Sequence, residues 1–339
     1  MALSAGKQKG LEAVSDAHGV IAALAIDQRS ALRKLFSKAS GQPPEAVGID
    51  SMIQFKEAVS RILTPHASAI LLDPEFGLPA ARLRAENAGL LLAYEKTGYD
   101  KNAMGRLPGL LEGFTAKRLQ QEGADGIKVL LYYSPFSSAE TNGVKHAWVE
   151  RVGTECAAAE APFFLEIVSY HDELDEKGAE FAKIKPECVT RAIEEFCKPR
   201  YLVDVLKVGV PVNMAFVEGG HPRGSEMIYT RKEAVSHFFR ASEAATLPFI
   251  YLSEGVSNET FGFALELAAE AGAKYSGVLC GRANWKDGVP VFVNSGMSAL
   301  QDWLSTEGVR NIENVNVGLK AAHPWFERHS AARIPPRKE

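Results

Sequence analysis

The sequence predicts an α/β fold, a (β/α)8 TIM barrel in a single domain, with an N-terminal helix and a C-terminal extension. Two observations carry that expectation. Eight short apolar runs recur along the 339 residues, and amphipathic, helix-like stretches separate them. Many of the runs are continuously apolar rather than alternating, which is how parallel strands buried on both faces read. A third observation weakens the doubly wound alternative: no run is followed by G-x-G-x-x-G or by a P-loop. Strand–helix alternation eight times over then argues for a closed barrel.

The elements follow in order. Leu3–Asp16 is read as a helix preceding the barrel, and Gly19–Ile26 as the first strand. The amphipathic stretch Glu45–Leu63 leads to strands at Ala67–Leu72 and Gly89–Tyr94. A helix over Leu110–Glu122 precedes the strand Gly126–Tyr133, and one over Lys145–Glu160 precedes Pro162–Val168. Thr190–Phe196 leads to Leu202–Val208, Thr230–Thr246 to Pro248–Leu252, and Glu259–Ala271 to Gly277–Cys280. A minimal barrel needs about 250 residues. The surplus goes to the first helix, to long excursions such as Asn213–Tyr229, and to the extension past Ala283. No Gly-, Ser- or Pro-rich linker divides the chain, so residues 1–330 are expected to form one unit and 331–339 a frayed tail.

Composition removes several classes of function. A net charge of −4 gives no reason to expect nucleic acid or an anionic membrane as partner. No apolar stretch reaches the ~20 residues that span a bilayer, and the first ten residues lack the apolar core of a signal peptide. The four cysteines form no C-x-x-C and read as reduced, cytoplasmic thiols. The eight histidines show no H-x-H or H-E-x-x-H spacing, so there is no local sign of a zinc site; neither a metal nor a cofactor is expected. A homo-oligomer stays open.

Charge interrupts the apolar runs at particular places. Lys207 lies inside Tyr201–Pro211, an otherwise mostly apolar run of strand length. Burying an ammonium is costly, so a lysine there is either misplaced or kept neutral. A neutral amine is a nucleophile toward carbonyl carbon, which makes Schiff-base chemistry the first hypothesis. Lys128 and Glu166 lie within the fourth and fifth runs. Neighbouring parallel strands are ~4.8 Å apart, so these side chains converge if all point inward. An ordinary lysine, with a pKa of about 10.4, is neutral in on the order of one molecule in a thousand at pH 7. Lys128 as a second cation would lower that pKa, and a protonated or proton-shuttling Glu166 suits an acid/base role.

Asp27, Gln28 and Arg29 follow the first strand, and Asp73 and Glu75 the second. Ser253, Gly255, Gly281 and Arg282 end the last two strands, where barrel enzymes often bind phosphate through loop amides and a short helix. Plainer readings stand beside these. Lys207 alone could snorkel from an edge strand, and Glu166 could be a structural partner of Lys128. Asp27 could cap a helix, and Asp73 before Pro74 reads as turn chemistry. Ser253, Gly255 and Gly281 could be turn residues, and Arg29 a surface charge. Tyr132, Tyr133, Phe163 and Phe164 read as core.

Six segments, in family order, resemble class I tagatose-1,6-bisphosphate aldolases: Leu24–Arg29, Leu71–Pro79, Gly89–Tyr99, Phe163–Ile167, Val205–Val208 and Val278–Arg282. The resemblance runs from about Lys7 to Trp285. It implies a metal-free (β/α)8 barrel in which Lys207 is the Schiff-base lysine and Glu166 the acid/base. It further implies that Asp27, Gln28 and Lys128 contact the sugar or its phosphate, with Ser253, Gly281 and Arg282 near a phosphate. The implied reaction cleaves D-tagatose 1,6-bisphosphate to dihydroxyacetone phosphate and glyceraldehyde 3-phosphate. Fructose 1,6-bisphosphate or a 6-sulfo-ketose 1-phosphate are alternative substrates, and a phosphosugar-binding regulator is an alternative of another class. The chain departs from the family pattern twice. Gly209 stands where the family usually has glutamate, and Glu254 where it has a small residue. The expectation is that Glu254 takes over the missing carboxylate's place.

Overall fold

The computed structural model describes residues 3–97, 99, 103–220 and 226–329. Eight parallel strands close into a barrel in chain order, with the last beside the first. They are β1 (Ile21–Ala25), β2 (Ala69–Leu72), β3 (Gly89–Ala93), β4 (Gly126–Tyr133), β5 (Phe163–Ser169), β6 (Val205–Val208), β7 (Phe249–Leu252) and β8 (Gly277–Cys280). All eight coincide with the apolar runs. Side chains alternate between two apolar sets, as the two-residue period of a strand requires. Ile21, Ala23, Leu71, Phe164, Val205 and Leu279 fill the lumen, while Leu24, Leu72, Phe163, Leu206 and Val278 face the helix layer.

The helices are α1 (Ala5–Val14), α2 (Ser30–Ser40), α3 (Ile49–Leu63), α4 (Leu78–Ala81), α5 (Ala116–Gln121), α6 (Ala139–Ala158), α7 (Ala179–Phe196), α8 (Arg231–Ala244) and α9 (Asn258–Glu270), then α10 (Arg282–Trp285), α11 (Gly288–Trp303) and α12 (Val309–Gly318) after the last strand. Several differ from expectation. α2 is additional to the expected helices, although Leu32, Leu35, Phe36 and Ala39 form a helical apolar stripe packed on the core. α7 starts eleven residues before the expected Thr190, and Pro186 lies inside it. A proline costs an interior hydrogen bond, so it reads as a boundary, but here packing overrides it. The expected tail 331–339 and His221–Gly224 lie outside the described residues. Among the described residues no helix is long and apolar enough to cross a membrane.

The N-terminal mouth of the barrel is sealed. Leu11 and Val14 of α1 are fully buried with Trp325 in the lumen set. A Cβ at Gly10 would fall on the Asp125 carbonyl, so only glycine lets α1 lie this close. Lys7 Nζ pairs with Asp204 Oδ2 at 2.7 Å, and the Trp325 indole donates to Ser15 at 3.2 Å. The opposite mouth, at the strands' C-terminal ends, is where charge enters the lumen.

Candidate active site

Lys128, Glu166 and Lys207 all point inward, because their neighbours Ile127, Val129, Leu165, Leu206 and Val208 belong to the helix-facing set. Glu166 lies directly opposite Lys207 in the β5–β6 register, whereas Lys128 is opposite Phe164, one layer lower. Ala23, Ala25, Ala69 and Ala93 occupy the facing lumen positions on β1–β3. Those small side chains leave room for two lysines.

Lys128 is fully buried, and three carboxylates surround its ammonium. Asp27 Oδ2 lies at 2.8 Å, Glu95 Oε1 at 2.7 Å and Glu166 Oε2 at 2.7 Å. The same Glu166 oxygen is 2.9 Å from Lys207 Nζ. Burial alone would discharge Lys128, but the three acids outweigh it and hold its pKa well above the usual range. Burial would likewise protonate Asp27 and Glu166, yet Lys128 and Lys207 prevail and hold both carboxyls below their ordinary values. Of the two states expected of Glu166, protonated or proton-shuttling, its lowered carboxyl fits the second: it is held as a carboxylate, in contact with both Lys128 and Lys207. Glu95 differs: burial, only partly offset by Lys128 and reinforced by Asp27, pushes its carboxyl up. Among the described residues no group of three or more His, Cys, Asp or Glu is arranged to hold a metal ion. The point on which three carboxylates converge is filled by the Lys128 ammonium.

The loops after β1 to β3 are tied together behind this cluster. Arg29 is buried, with Nη1 on Glu75 Oε2 at 2.5 Å and Nη2 on the Glu95 carbonyl at 2.8 Å. Both terminal nitrogens thus serve as struts between loops. Lys56 of α3 is fully buried and ion-paired with Asp73, and it donates to the Ile26 and Gln28 carbonyls at 2.6 and 3.0 Å. Asp73 also accepts from the Phe76 amide at 2.7 Å, the turn role expected of it. Gln28 Nε2 donates to Asp27 Oδ1 at 3.0 Å, while its buried Oε1 has no partner among the described residues.

The ends of β7 and β8 form a second part of the mouth. Gly255 has φ 79°, and a Cβ there would lie 2.5 Å from the Arg282 guanidinium carbon. Glycine thus lets Arg282 rest against the backbone. Arg282 is half-buried and pairs with no carboxylate among the described residues. Gly281 sits against the Ala25 carbonyl and 3.4 Å from Gln28 Nε2, measured from the Cβ it lacks. The buried Ser253 hydroxyl lies within hydrogen-bonding reach of the Cys280 thiol. Glu254 is turned inward: a Cβ on Gly209 would fall on its Oε1, and Lys185 Nζ holds its Oε2 at 2.6 Å. The carboxylate thus lies where a side chain at position 209 would begin.

Tyr133, Phe163 and Phe164 are core, but Tyr132 is not. It has inward parity, is half-buried, and carries Arg106 over its ring at 5.1 Å. Reading the four aromatics together as core overlooked the face that Lys128 sets. Glu95, Lys56 and Lys185 were also missed. Glu95 had a usable signal, an acid one residue past a wholly apolar run, as at Asp27 and Asp73.

Comparison with known proteins shows the family and the fold. A family model described as DeoC/LacD family aldolase matches residues 21–287. The chain is 52% identical to tagatose 1,6-diphosphate aldolase 2 of Enterococcus faecalis, over 97% of this chain and 98% of that one. It is 48% identical to tagatose 1,6-diphosphate aldolase of Staphylococcus aureus, over 97% and 100%. Among solved structures, fructose-bisphosphate aldolase of Plasmodium falciparum, in a ternary complex with TRAP and a small-molecule inhibitor, superposes with a TM-score of 0.70. That match covers 95% of this chain and 97% of the other at 14% identity, which speaks for the fold alone.

Proposed function

The chain belongs to the DeoC/LacD family of aldolases, and from that premise we propose that it cleaves D-tagatose 1,6-bisphosphate through a Schiff base on Lys207. The products are dihydroxyacetone phosphate and glyceraldehyde 3-phosphate. The observation that carries the mechanism is the 2.9 Å contact between Lys207 Nζ and an ionised Glu166. The substrate is supported by the two relatives named as tagatose 1,6-diphosphate aldolases.

Glu166 takes a proton from the Lys207 ammonium and leaves a neutral amine. The amine attacks C2 of the ketose, and Glu166 returns the proton as the C2 oxygen departs as water. The resulting iminium is an electron sink. Glu166, again a carboxylate, removes the C4 hydroxyl proton. The C3–C4 bond breaks, its electrons pass to the iminium nitrogen, and glyceraldehyde 3-phosphate leaves. The enamine takes a proton back at C3 from Glu166, and water hydrolyses the iminium to release dihydroxyacetone phosphate. Lys128 stays charged throughout and keeps Glu166 and Asp27 in place. Asp27 and Gln28 meet the sugar hydroxyls. Arg282, with the Gly255 and Gly281 backbone, takes a phosphate. An enzyme of this kind works in the cytoplasm, where its phosphosugars are.

Borohydride added with dihydroxyacetone phosphate should label Lys207, and no other lysine. An unlabelled protein would sink the mechanism. Cleavage rates on tagatose 1,6-bisphosphate, fructose 1,6-bisphosphate and a 6-sulfo-ketose 1-phosphate then decide the substrate; a faster rate on either rival reassigns it.

A further inference from the structure

We propose that Glu254 is a specificity-determining residue that accepts a hydrogen bond from the hydroxyl beside the ketone carbon, the C3 hydroxyl of the dihydroxyacetone phosphate half. The inference rests on the aldolase reading and names the part of the substrate that this carboxylate reads. Gly209 lies two residues past Lys207 and so shares its inward row, about 7 Å further toward the open mouth. It has no side chain. The Glu254 carboxylate, reaching over from the end of β7, fills the place where one would begin.

The chain adopts an uncommon conformation to put it there. Glu254 has φ 50° and Gly255 φ 79°, two left-handed residues in succession. A glutamate in that region carries strain, which persists only where the surroundings impose it. Lys185, buried on α7, holds Oε2 in an ion pair at 2.6 Å and fixes the carboxylate in place. Oε1 is left over Gly209, with no hydrogen-bond donor among the described residues.

An ionised carboxylate is an acceptor only. It repels phosphate and takes a hydroxyl. At the next residue of the same turn, Arg282 lies against Gly255, paired with no carboxylate among the described residues. One turn therefore carries an acceptor and a cation side by side. An asymmetric ketone phosphate is oriented by that pair, with its phosphate toward Arg282, its hydroxyl toward Glu254 and its carbonyl over Lys207.

The test compares dihydroxyacetone phosphate with hydroxyacetone phosphate, which lacks only the C3 hydroxyl. Half-saturation of borohydride-dependent labelling of Lys207 reports the affinity for each. The unaltered protein should favour dihydroxyacetone phosphate by on the order of ten- to a hundredfold, as for a hydrogen bond to a charged group. Glu254→Ala should reduce that preference to about threefold or less, leaving hydroxyacetone phosphate nearly unaffected. Gly209→Ala should do the same by pushing the flexible carboxylate aside, with every buried partner still present. A wild-type preference retained in both variants overturns the proposal, as does an unaltered protein that labels equally well with both ketones. If neither ketone labels Lys207, the aldolase reading fails and this proposal falls with it.

Discussion

The two mouths of the barrel are built from the same part, a lysine buried against carboxylate, and differ in how that part is shared. At the N-terminal mouth Lys7 meets one acid. Asp204 Oδ2 accepts from Lys7 at 2.7 Å and from the Phe163 amide at 2.8 Å. The Asp204 carbonyl lies 3.1 Å from the His329 ring nitrogen. α1 and Trp325 then close the space. At the C-terminal mouth Lys128 is shared by three acids, and one Glu166 oxygen is shared by two lysines. Among the described residues, buried polar atoms without partners occur at both mouths, Glu95 Oε2 and Gln28 Oε1 here and Ser276 Oγ and Arg328 Nε at the other. The lesson is that neither ion pairing nor unmet capacity alone identifies a site; what differs is one cation shared by several acids and one acid shared by two cations.

The largest expected effect separates the mouths outright. Lys207→Met should lower kcat for cleavage by at least about 10⁴-fold, because the nucleophile is gone. Its unfolding free energy should change by no more than about 1 kcal/mol, since Glu166 keeps Lys128. A variant that still turns over would break the comparison. Next comes Lys128→Met, which strips three buried carboxylates of their shared cation. It should cost about 3–5 kcal/mol by urea unfolding, and activity with it. Lys7→Met strips only one, so about 2–3 kcal/mol is expected with kcat unchanged. Equal losses for Lys128→Met and Lys7→Met would show that sharing adds nothing.

How much of this difference was legible in the sequence depends on the residue. The strands were legible because parallel strands buried on both faces are apolar throughout, and Lys128, Glu166 and Lys207 were conspicuous within them. Their burial and convergence follow from strand parity, which sequence supplies once the inward face is known. Glu95 carried the signal of Asp27 and Asp73, an acid just past an apolar run, but beside Lys96 it also reads as half of a surface pair. Lys56 lies in a helix, where a lysine on the apolar face looks like a stem laid along it. Lys185 was hidden by Pro186, which made the first half of α7 look like loop. The seal at the other mouth is the least local feature: Lys7 and Asp204 are 197 residues apart.

A smaller effect sharpens the phosphate end. Arg282→Met should raise KM by on the order of ten- to a hundredfold, with a smaller change in kcat. Borohydride labelling of Lys207 should survive at high dihydroxyacetone phosphate. An unchanged KM would place the phosphate elsewhere in the mouth.

The smallest effect tests the charge state of the mouth itself. Asp27→Asn removes one of three partners of Lys128 and keeps an acceptor near it, so a cost of about 1–2 kcal/mol is expected at pH 7. The Asp27 carboxyl is held below its ordinary value of 3.8, because Lys128 and Lys207 outweigh the cost of burial. For a depressed acid, stability is present above the unfolded value and is lost as pH falls through the folded one. The difference between Asp27→Asn and the unaltered protein should therefore be constant from pH 7 to about pH 5 and shrink only in acid below the ordinary carboxylate range. Asp204 at the sealed mouth runs the other way. Burial, only partly offset by Lys7 and the Phe163 amide, raises its carboxyl. Its ionised form is the costly one, and stability that depends on it declines as pH rises through the raised value. Thermal unfolding of Asp27→Asn and Asp204→Asn across pH 3–7 should give penalties of opposite slope. Parallel slopes would mean that both mouths hold these acids alike, and the contrast between a single pair and a shared cluster would fail at its electrostatic root.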